Sequence, residues 1–361
     1  MSTTTATSAA VAIASGSVAL HHLSASRSGP DPQQVFDGFP PPRTTVLSQF
    51  VFGGRRFRAA AELRKGGAQW PVTWVQGNGA DAEDVIGMQA IALSGAPVQR
   101  VELDGRVVGA TYVDADAEWC YLGGVLPADP GRSRAEQARS VFERLEAALG
   151  QVGMDFSHVA RTWLYLDRLL EWYGEFNVVR NEFFQQRRVY EHLVPASTGI
   201  GAANPDGAAL VAGLVALKPR QPSVRVLPVI SPLQCPPTNY RSAFSRAVEI
   251  QRSGRRQLLI SGTASIDPSG ASVHRDDVDG QIELTMAVVE AILESRQMRW
   301  ADTTRMTAYF TDLADGPRFT AWCRAHGLPG LPVVFSHAVI CREELLFEIE
   351  LDAWSQSAGP E

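Results

Sequence analysis

An internal duplication constrains the fold of this chain more than any other feature of its sequence. The segment from WCYLGGVLPADPG, beginning at Trp119, to VAGLVALK repeats the order of patterns found between LLISGTASIDPSG and LLFEIELDA. Each segment reads as a strand, a Gly-containing turn, an amphipathic helix, a strand ending in an aromatic residue and Asp (LYLD, YFTD), a second helix and two strands. Repetition on this scale predicts two domains of one fold.

The patterns inside each half predict an α+β layer fold. The first helices, residues 135–149 and 278–294, have apolar residues at three- and four-residue spacing, which provides one face to pack on a sheet. In VELDGRVVGATYVD, Asp104 and Gly105 separate two apolar runs and predict a hairpin. We therefore expect each domain to be a mixed sheet with helices packed on one face.

Composition along the chain predicts where the domains begin and end. Residues 1–45 are rich in Ser, Thr, Ala and Pro and are interpreted as a disordered tail and lead-in. Prolines in residues 219–237 disfavour helices and central strands, so this segment is expected to be a linker. The predicted domains are then 46–218, an N-terminal degenerate domain, and 238–356, a C-terminal catalytic domain.

Charge and cysteine usage narrow the class of protein. The 361 residues carry a formal net charge of -6 without a basic cluster, which argues against a nucleic acid partner. No apolar run approaches the length of a membrane span, and the N-terminus has no positively charged region typical of a signal peptide. The four cysteines lie far apart, which argues against a zinc site or a disulfide framework. These observations predict a cytoplasmic protein that requires no membrane partner.

The last predicted strand carries an unusual acidic face. In FEIELDA, the apolar Phe347, Ile349 and Leu351 alternate with acidic residues, so a strand with a period of two lines three carboxylates along one face. One interpretation is a half-exposed strand whose polar face contacts water. The other is that this face is partly turned into a substrate cleft. The acidic residues are Glu348, Glu350 and Asp352.

Several motifs identify the family that the chain resembles. YRSAFSRAVEI, LLISGTASID and LLFEIELDA resemble the opening, SGQIP and closing strands of the RidA/YjgF family, whose fold is chorismate-mutase-like. Two such units in tandem, with STGIG in the first and ICREELLFEIE in the second, resemble the chorismatase family. The resemblance implies release of pyruvate from chorismate, with either a dihydroxycyclohexadiene carboxylate or a 3- or 4-hydroxybenzoate as the second product.

The resemblance assigns catalytic roles to two residues. It implies that Glu348 is the general acid that protonates the enolpyruvyl methylene, a role that requires a carboxyl whose pKa is raised by burial and nearby negative charge. It implies that Cys341 directs aromatisation in the 3-hydroxybenzoate branch, although a buried Cys is commonly packing alone. Our alignment sets Gly213 of the first half against Glu348, so one active site per chain is expected.

Other candidates are chosen for their ability to bind a dicarboxylate ring. Arginine binds carboxylates with a two-pronged geometry, and hydroxyl groups donate hydrogen bonds. Tyr165 shares a strand face with Arg161 and Trp163, a pattern also typical of a core. The substrate-binding candidates are Arg246, Arg161, Tyr240, Tyr165, Ser197, Thr198, Gly262 and Ala264.

The preferred hypothesis is a chorismatase that forms 3-hydroxybenzoate and pyruvate. The proposed reaction needs neither a cofactor nor a metal, and its partner is a small molecule, chorismate. The protein is expected to be a monomer or a homo-oligomer of RidA-like type. Two alternatives remain: a chorismatase that forms the dihydroxydiene or 4-hydroxybenzoate, and a non-catalytic RidA-like protein that binds a small carboxylate.

Overall fold

Alternating apolar and polar residues organise the chain into three mixed sheets. The computed structural model describes residues 7–27, 31–53, 69–77, 85–237, 242–328 and 330–356. Within these residues each sheet is formed by one continuous part of the chain, and we call these parts the first, middle and last units.

The middle unit, residues 99–219, corresponds to the later part of the first predicted domain, 46–218, whose earlier part falls in the first unit. Its strands have the order β10-β9-β11-β8-β7-β6, with β10 parallel to β9 and the other neighbours antiparallel. Its elements are β6 (Gln99–Leu103), β7 (Arg106–Val113), β8 (Ala117–Val125), α1 (Arg134–Gly150), β9 (Val159–Leu166), α2 (Tyr173–Gln186), β10 (Ala196–Gly201) and β11 (Leu210–Pro219).

The last unit repeats this topology. Its strand order is β16-β15-β17-β14-β13-β12, again with one parallel pair, β15 and β16. Its elements are β12 (Arg225–Val229), β13 (Ala247–Arg252), β14 (Arg255–Ala264), α3 (Val278–Ser295), β15 (Thr303–Phe310), α4 (Gly316–Ala325), β16 (Val333–His337) and β17 (Phe347–Gln356). The predicted pair of α+β domains with helices on one face is confirmed.

The first unit has the same strand order as the other two, β4-β3-β5-β2-β1, and its parallel pair is β3 with β4. Its described residues contain a 3₁₀ turn at Pro32–Phe36 where the other units have their first long helix. Its strands are β1 (Thr7–Ser15), β2 (Val18–Ser26), β3 (Thr45–Gly53), β4 (Val72–Val75) and β5 (Val85–Ser94). The chain thus contains a third, reduced copy of the repeated unit.

This third copy corrects two of the expected boundaries. The expectation of a disordered tail over residues 1–45 is wrong for β1 and β2, which pair in register and place Ile13 and Leu20 in the core. Short side chains such as those of Ala and Ser hide the period of two that marks a strand. The expected linker, residues 219–237, contains β12, which forms the edge of the last sheet. Pro228 fits there because an edge strand has one unpaired side.

Local signals account for the confirmed elements. Asp104 and Gly105 adopt positive φ angles of 51° and 72° in the β6–β7 turn, as a two-residue hairpin of this type requires. Helix α1 begins with a capping box in which the Ser133 hydroxyl accepts from the Glu136 N–H and the Glu136 carboxylate accepts from the Ser133 N–H. Such a cap stabilises a helix by about 1 kcal/mol.

The three sheets pack around a common core, with the helices outside. Alternate residues of β8 and β9, such as Trp119 and Trp163, point to the central core, while Leu122 and Leu164 pack beneath α1 and α2. The central core also receives Phe50 of the first unit and residues of the last unit. No helix among the described residues is long and apolar enough to cross a membrane.

The units follow one another around this core in a cycle. The short strand of each unit that pairs in parallel packs against a strand of the next: β4 against β8, β10 against β14, and β16 against β2. The Gly124 N–H donates to Thr73 Oγ1 at 2.9 Å in the first of these interfaces, and the Gly262 N–H donates to Thr198 Oγ1 at 3.2 Å in the second. The repeated contact indicates an approximate threefold symmetry within one chain.

Candidate active site

A cavity of about 250 Å³ lies where the middle unit meets the last unit. Strand β10 is held to the last unit there by a bridge between Ala196 and Ser245, which precedes β13, and by the Ser197 N–H, which donates to Ser261 Oγ of β14 at 2.9 Å. The middle unit lines the cavity with Tyr173, Asn177, Arg180, Ser197 and Gly199. The last unit lines it with Ser242, Phe244, Arg246, Gly262, Ala264, Ile266, Cys341, Arg342 and Glu348.

Glu348 provides the acidic side chain of this lining. It lies on β17 opposite Ala264 of β14 and is 5% exposed. Burial raises the pKa of its carboxyl, and the negative charge of Glu350 raises it further, to about 8, against the opposing effect of Arg246 and Arg161. At neutral pH this carboxyl is therefore protonated and can donate a proton into the cavity.

The fit of Glu348 depends on Gly262. A Cβ atom at this glycine would lie 2.0 Å from Glu348 Oε1 and 3.4 Å from Thr198 Cγ2. The register of β14 against β17 shifts between Ile260 and Thr263, so Ser261 and Gly262 form a bulge opposite Glu350. The bulge brings the backbone of β14 against the carboxyl group, and only a residue without a side chain leaves room for it.

Glu350, two residues after Glu348, is fully buried among cations. Arg161 pairs with its Oε2 atom, and Arg305 Nη1 lies 2.9 Å from Oε1. Trp163 Nε1 donates to Oε2 at 2.8 Å, and the Thr198 hydroxyl also donates to Oε2. Burial by itself raises the pKa of Glu350, but the two guanidinium groups and the hydrogen bonds lower it to about 2.

The structure corrects the first interpretation of the acidic strand. Glu348, Glu350 and Asp352 are all buried, so the strand does not present a wet face. The face is turned towards the cavity only in part, because Glu348 alone of the three lines it. Asp352 instead pairs with Arg305 at 3.1 Å. A single acidic face thus serves two environments, a cavity at one end and an ion-pair cluster at the other.

Cys341 lies in the loop before β17 and lines the cavity together with Glu348. Burial raises the pKa of its thiol to about 12, with a further contribution from Glu348. The Cys341 side chain is therefore a neutral thiol at physiological pH. It can donate a weak hydrogen bond but is not poised as a thiolate nucleophile.

Three arginines line the cavity and make it cationic. Arg246 donates to the Cys235 carbonyl at 3.0 Å and lies over the Phe244 ring, Arg342 donates to the Gly270 carbonyl at 2.9 Å, and Arg180 donates to Asn177 Oδ1 at 2.6 Å. These contacts hold each guanidinium at the cavity wall. With Glu348 protonated, the arginine charges dominate the lining, and such a site favours an anion with more than one acidic group.

The eight predicted substrate-binding residues occupy different positions relative to the cavity. Arg246, Ser197, Gly262 and Ala264 line the cavity, whereas Thr198 supports it from behind through Glu350 and Gly262. Tyr240 lies outside the described residues.

Arg161 and Tyr165 do not line the cavity, which corrects their prediction as substrate contacts. Arg161 is fully buried against Glu350, the Thr198 hydroxyl and the Ile260 carbonyl. The Tyr165 hydroxyl lies 3.3 Å from that of Tyr309 in the central core. These residues share a face with Trp163 that points to the interior between the sheets. The partners of the buried Arg161 there are other parts of the same chain.

The register also corrects the predicted equivalence of Gly213 and Glu348. Gly213 pairs with Trp163 of β9, and Glu350 pairs with Thr307 at the corresponding position of β15. Val211 is therefore the counterpart of Glu348. A Cβ atom at Gly213 would lie 2.7 Å from the Leu122 carbonyl oxygen, so this position has no room for a carboxylate. The middle unit is still expected to supply no acid, because the counterpart of Glu348 is the apolar Val211.

The contribution of α2 to the cavity was missed by the sequence analysis. Tyr173, Asn177 and Arg180 all lie on this helix and belong to a different unit from Glu348. One signal was present: Arg180 lies four residues after Phe176 and three before Phe183, on the apolar face of the helix. A buried arginine on such a face is rarely found without a functional or charged partner.

Comparison with known proteins gives concordant results. Residues 99–214, which include β6–β10, α1 and α2, match the family model described as "Chorismatase FkbO/Hyg5-like, N-terminal". A chorismatase from Streptomyces hygroscopicus is 26% identical over 274 residues, covering 70% of this chain and 76% of the relative. A 3-hydroxybenzoate synthase from the same organism is 24% identical over 273 residues, covering 68% and 76%. A crystal structure of chorismatase superposes with a TM-score of 0.68 at 20% identity, covering 92% of this chain and 98% of the other.

Proposed function

We propose that this chain is a chorismatase, as the family model matched by residues 99–214 and the similarity to a chorismatase support, and that it converts chorismate into 3-hydroxybenzoate and pyruvate. The observation that carries the proposal is the buried carboxyl of Glu348, whose pKa is raised, in a cavity lined by three arginines. Chorismate has two carboxylates and an enol ether. The arginines can bind the two carboxylates, and a neutral carboxylic acid can protonate the enol ether.

The arginines bind and orient the substrate. Arg246 and Arg342 belong to the last unit, and Arg180 reaches the cavity from the middle unit, so two separated carboxylates can be held from opposite sides. Tyr173, Asn177 and Ser197 provide neutral hydrogen-bonding groups for the ring hydroxyl. Fixing the substrate in this way places the enolpyruvyl group beside Glu348 and removes the entropy cost of that approach from the chemical step.

Glu348 then acts as general acid. Its proton forms a bond to the methylene carbon of the enolpyruvyl group, the carbon–carbon π bond breaks, and an oxocarbenium ion results. The carboxylate that remains is stabilised by the nearby charges of Arg246 and Arg161. A carboxyl with a pKa about 8 suits this role, because it is protonated at neutral pH and still readily gives up its proton.

The product depends on which group attacks the oxocarbenium ion. In the 3-hydroxybenzoate branch the oxygen of the ring hydroxyl bonds to the oxocarbenium carbon and gives up its proton. The bond between this oxygen and the ring then breaks, loss of a ring proton makes the ring aromatic, and cleavage of the original ether bond at the former enolpyruvyl carbon releases pyruvate and leaves the ether oxygen on the ring. Of the two protons released, one restores Glu348 and the other completes the phenol. The two products together have the composition of chorismate, so no water is consumed. Attack by water gives the dihydroxydiene instead. Cys341, a neutral thiol beside Glu348, is the residue that we assign to the aromatising branch.

Incubation of the purified protein with chorismate, without added cofactor, tests the function. We expect release of pyruvate, followed by a coupled assay, and 3-hydroxybenzoate as the ring product in NMR spectra. The dihydroxydiene or 4-hydroxybenzoate would retain the family and change the branch. If chorismate binds but is not consumed, the protein is a binding protein rather than an enzyme.

Substitution of the acid tests the assigned role. Glu348→Gln removes the transferable proton and keeps the shape of the side chain, so we expect kcat to fall by about 10²- to 10⁴-fold with chorismate binding retained. Glu294→Gln, on the exposed surface of α3, is the matched control and should behave as the unmodified protein. Normal turnover by the Glu348 variant would show that another group delivers the proton.

A further inference from the structure

A buried charge cluster lies directly behind Glu348. Its cations are Arg161 of the middle unit and Arg305 of the last unit, and its anions are Glu350 and Asp352. The members are fully or almost fully buried, so water screens them little. Two guanidinium groups face two carboxylates, and the cluster is balanced without a contribution from Glu348.

The structure connects this cluster to the catalytic carboxyl in two ways. Glu350 and Glu348 are two residues apart on β17, and their side chains point to the same face of the sheet. In addition, the Thr198 hydroxyl donates to Glu350 and accepts from Arg161 Nη2 at 2.9 Å and from the Gly262 N–H at 3.2 Å. Gly262 is the residue that the Glu348 carboxyl contacts, so the cluster and the acid share one support.

On the basis of the proposed function, we propose that Glu350 is a positioning residue whose fixed negative charge keeps the proton on Glu348 until the substrate receives it. Ionising Glu348 would place a second negative charge beside Glu350, whose own partners are already engaged. Arg161 and Arg305 fix Glu350 in its ionised form and thereby maintain this repulsion. Because Arg161 comes from the middle unit, the protonation of the acid depends on the packing of two units.

Other charged and titratable groups face the two carboxyls and contribute to the balance. Arg246 and Arg161 oppose the effect of Glu350 on Glu348, while the neutral groups Cys341, Tyr165 and Tyr309 add no charge at neutral pH. The groups on the surrounding elements are Arg161 and Tyr165 on β9, Arg180 on α2, Arg246 before β13, Arg305 and Tyr309 on β15, Cys341 and Arg342 before β17, Asp352 on β17, and His22 on β2 beside Asp352.

The test is the pH dependence of kcat/KM, which reports groups of the free enzyme. A general acid must be protonated, so the activity of the unmodified protein falls as the pH rises through the pKa of Glu348, about 8. This fall at high pH is the basic limb of the pH profile. Glu350→Gln removes the repelling charge, and we expect the basic limb to move to lower pH by about one unit or more. A lower plateau with an unmoved limb would show a merely structural role and overturn the proposal.

Two further variants serve as controls for the displacement of the limb. Asp352→Asn removes a carboxylate of the same cluster that is farther from Glu348, so we expect its limb to stay in place. Glu350→Asp retains the charge, so we expect the basic limb of this variant to lie within a few tenths of a pH unit of that of the unmodified protein. Equal displacement by Asp352→Asn and Glu350→Gln would mean that general loss of the cluster, and not Glu350, controls the acid.

A charge-balanced double variant distinguishes the role of Glu350 from a general loss of folding. Glu350→Gln leaves Arg161 without its carboxylate, which is costly for a buried charge. The double variant Glu350→Gln, Arg161→Met removes one anion with one cation and leaves Arg305 paired with Asp352. We expect its limb to move in the same direction by a smaller amount. Absence of pyruvate release by the unmodified protein would contradict the proposed function itself, whereas an active protein with unmoved limbs contradicts only the role of Glu350.

Discussion

Glu348 and Glu350 are identical residues that occupy opposite protonation states on one strand. The first borders a cavity and has a pKa about 8, and the second is surrounded by guanidinium groups and has a pKa about 2. The difference follows from their partners, because both side chains are withdrawn from water. Pairs of carboxyls whose pKa values are driven apart are typical of sites that carry out acid and base chemistry.

At the same scale, Cys341→Ala tests the choice of product. The neutral thiol adjoins Glu348 in the cavity, and its removal takes away the group that we assign to aromatisation. We expect pyruvate release to continue and at least part of the ring product to shift to the dihydroxydiene, measured by chromatography and NMR. Cys323→Ala, on the buried side of α4 in the last unit, is the control. An unchanged product ratio would mean that Cys341 only fills space.

At the scale of the element, the bulge in β14 determines where the acid lies. A regular β14 would pair residue for residue with β17, whereas the bulge sets Ser261 and Gly262 opposite Glu350. The middle unit has a corresponding shift between β8 and β11, in which Gly123 and Gly124 are unpaired. The middle and last units therefore share the bulge, and the last unit uses it to bring the backbone against Glu348 and Thr198.

Gly262→Ala tests the closeness of this approach. The added methyl group would lie 2.0 Å from Glu348 Oε1, so the carboxyl must turn away from its position. We expect kcat/KM to fall about tenfold or more, because small displacements of a reacting group are costly in rate, while the melting temperature changes little. Gly150→Ala, where a Cβ atom meets nothing within 4 Å, is the control. Full activity of Gly262→Ala would show that Glu348 acts from another rotamer.

At the scale of the molecule, three similar interfaces contain one acid. Register places Val211 of β11 and Gly87 of β5 at the positions that correspond to Glu348. The space at Gly87 is filled by Val334, whose Cγ1 atom would lie 2.5 Å from a Cβ atom there. Fusion of three units into one chain allows each interface to diverge, and among the described residues only the interface of β10 with β14 combines an acid with a cationic cavity.

The first unit supports this site from a distance through Gln89. Its Nε2 donates to the Met306 carbonyl at 2.6 Å, and its Oε1 accepts from Arg305 at 3.0 Å and from Thr307 at 2.9 Å. Gln89→Leu removes these three buried hydrogen bonds, and we expect a loss of about 1–3 kcal/mol in the free energy of unfolding. Chemical denaturation measures it, with the exposed Gln221→Leu as control. Unchanged stability would show that the first unit packs independently of the buried cluster.

Patterns of short range were enough to predict much of this architecture. The helices α1 and α3, the β6–β7 hairpin and the repetition of the α+β unit were predicted because each depends on the period of apolar residues or on turn chemistry within a few positions. Glu348 was selected by its place on an acidic strand and by family resemblance. Its neighbours Gly262, Ala264 and Cys341 were also identified, and the structure places them on the same cavity.

The assignment of partners to charged residues was decided only by the tertiary structure. Arg161 and Glu350 are 189 positions apart, and their pairing depends on how two units pack, on which local sequence has no bearing. The same applies to Arg180, which reaches the cavity from a helix of another unit, and to β1 and β2, whose small residues are buried only because a third sheet completes the core. Sequence thus determined the repeated unit and the place of Glu348 on its last strand, whereas the packing of three units decided which charged groups pair in the interior and which line the cavity.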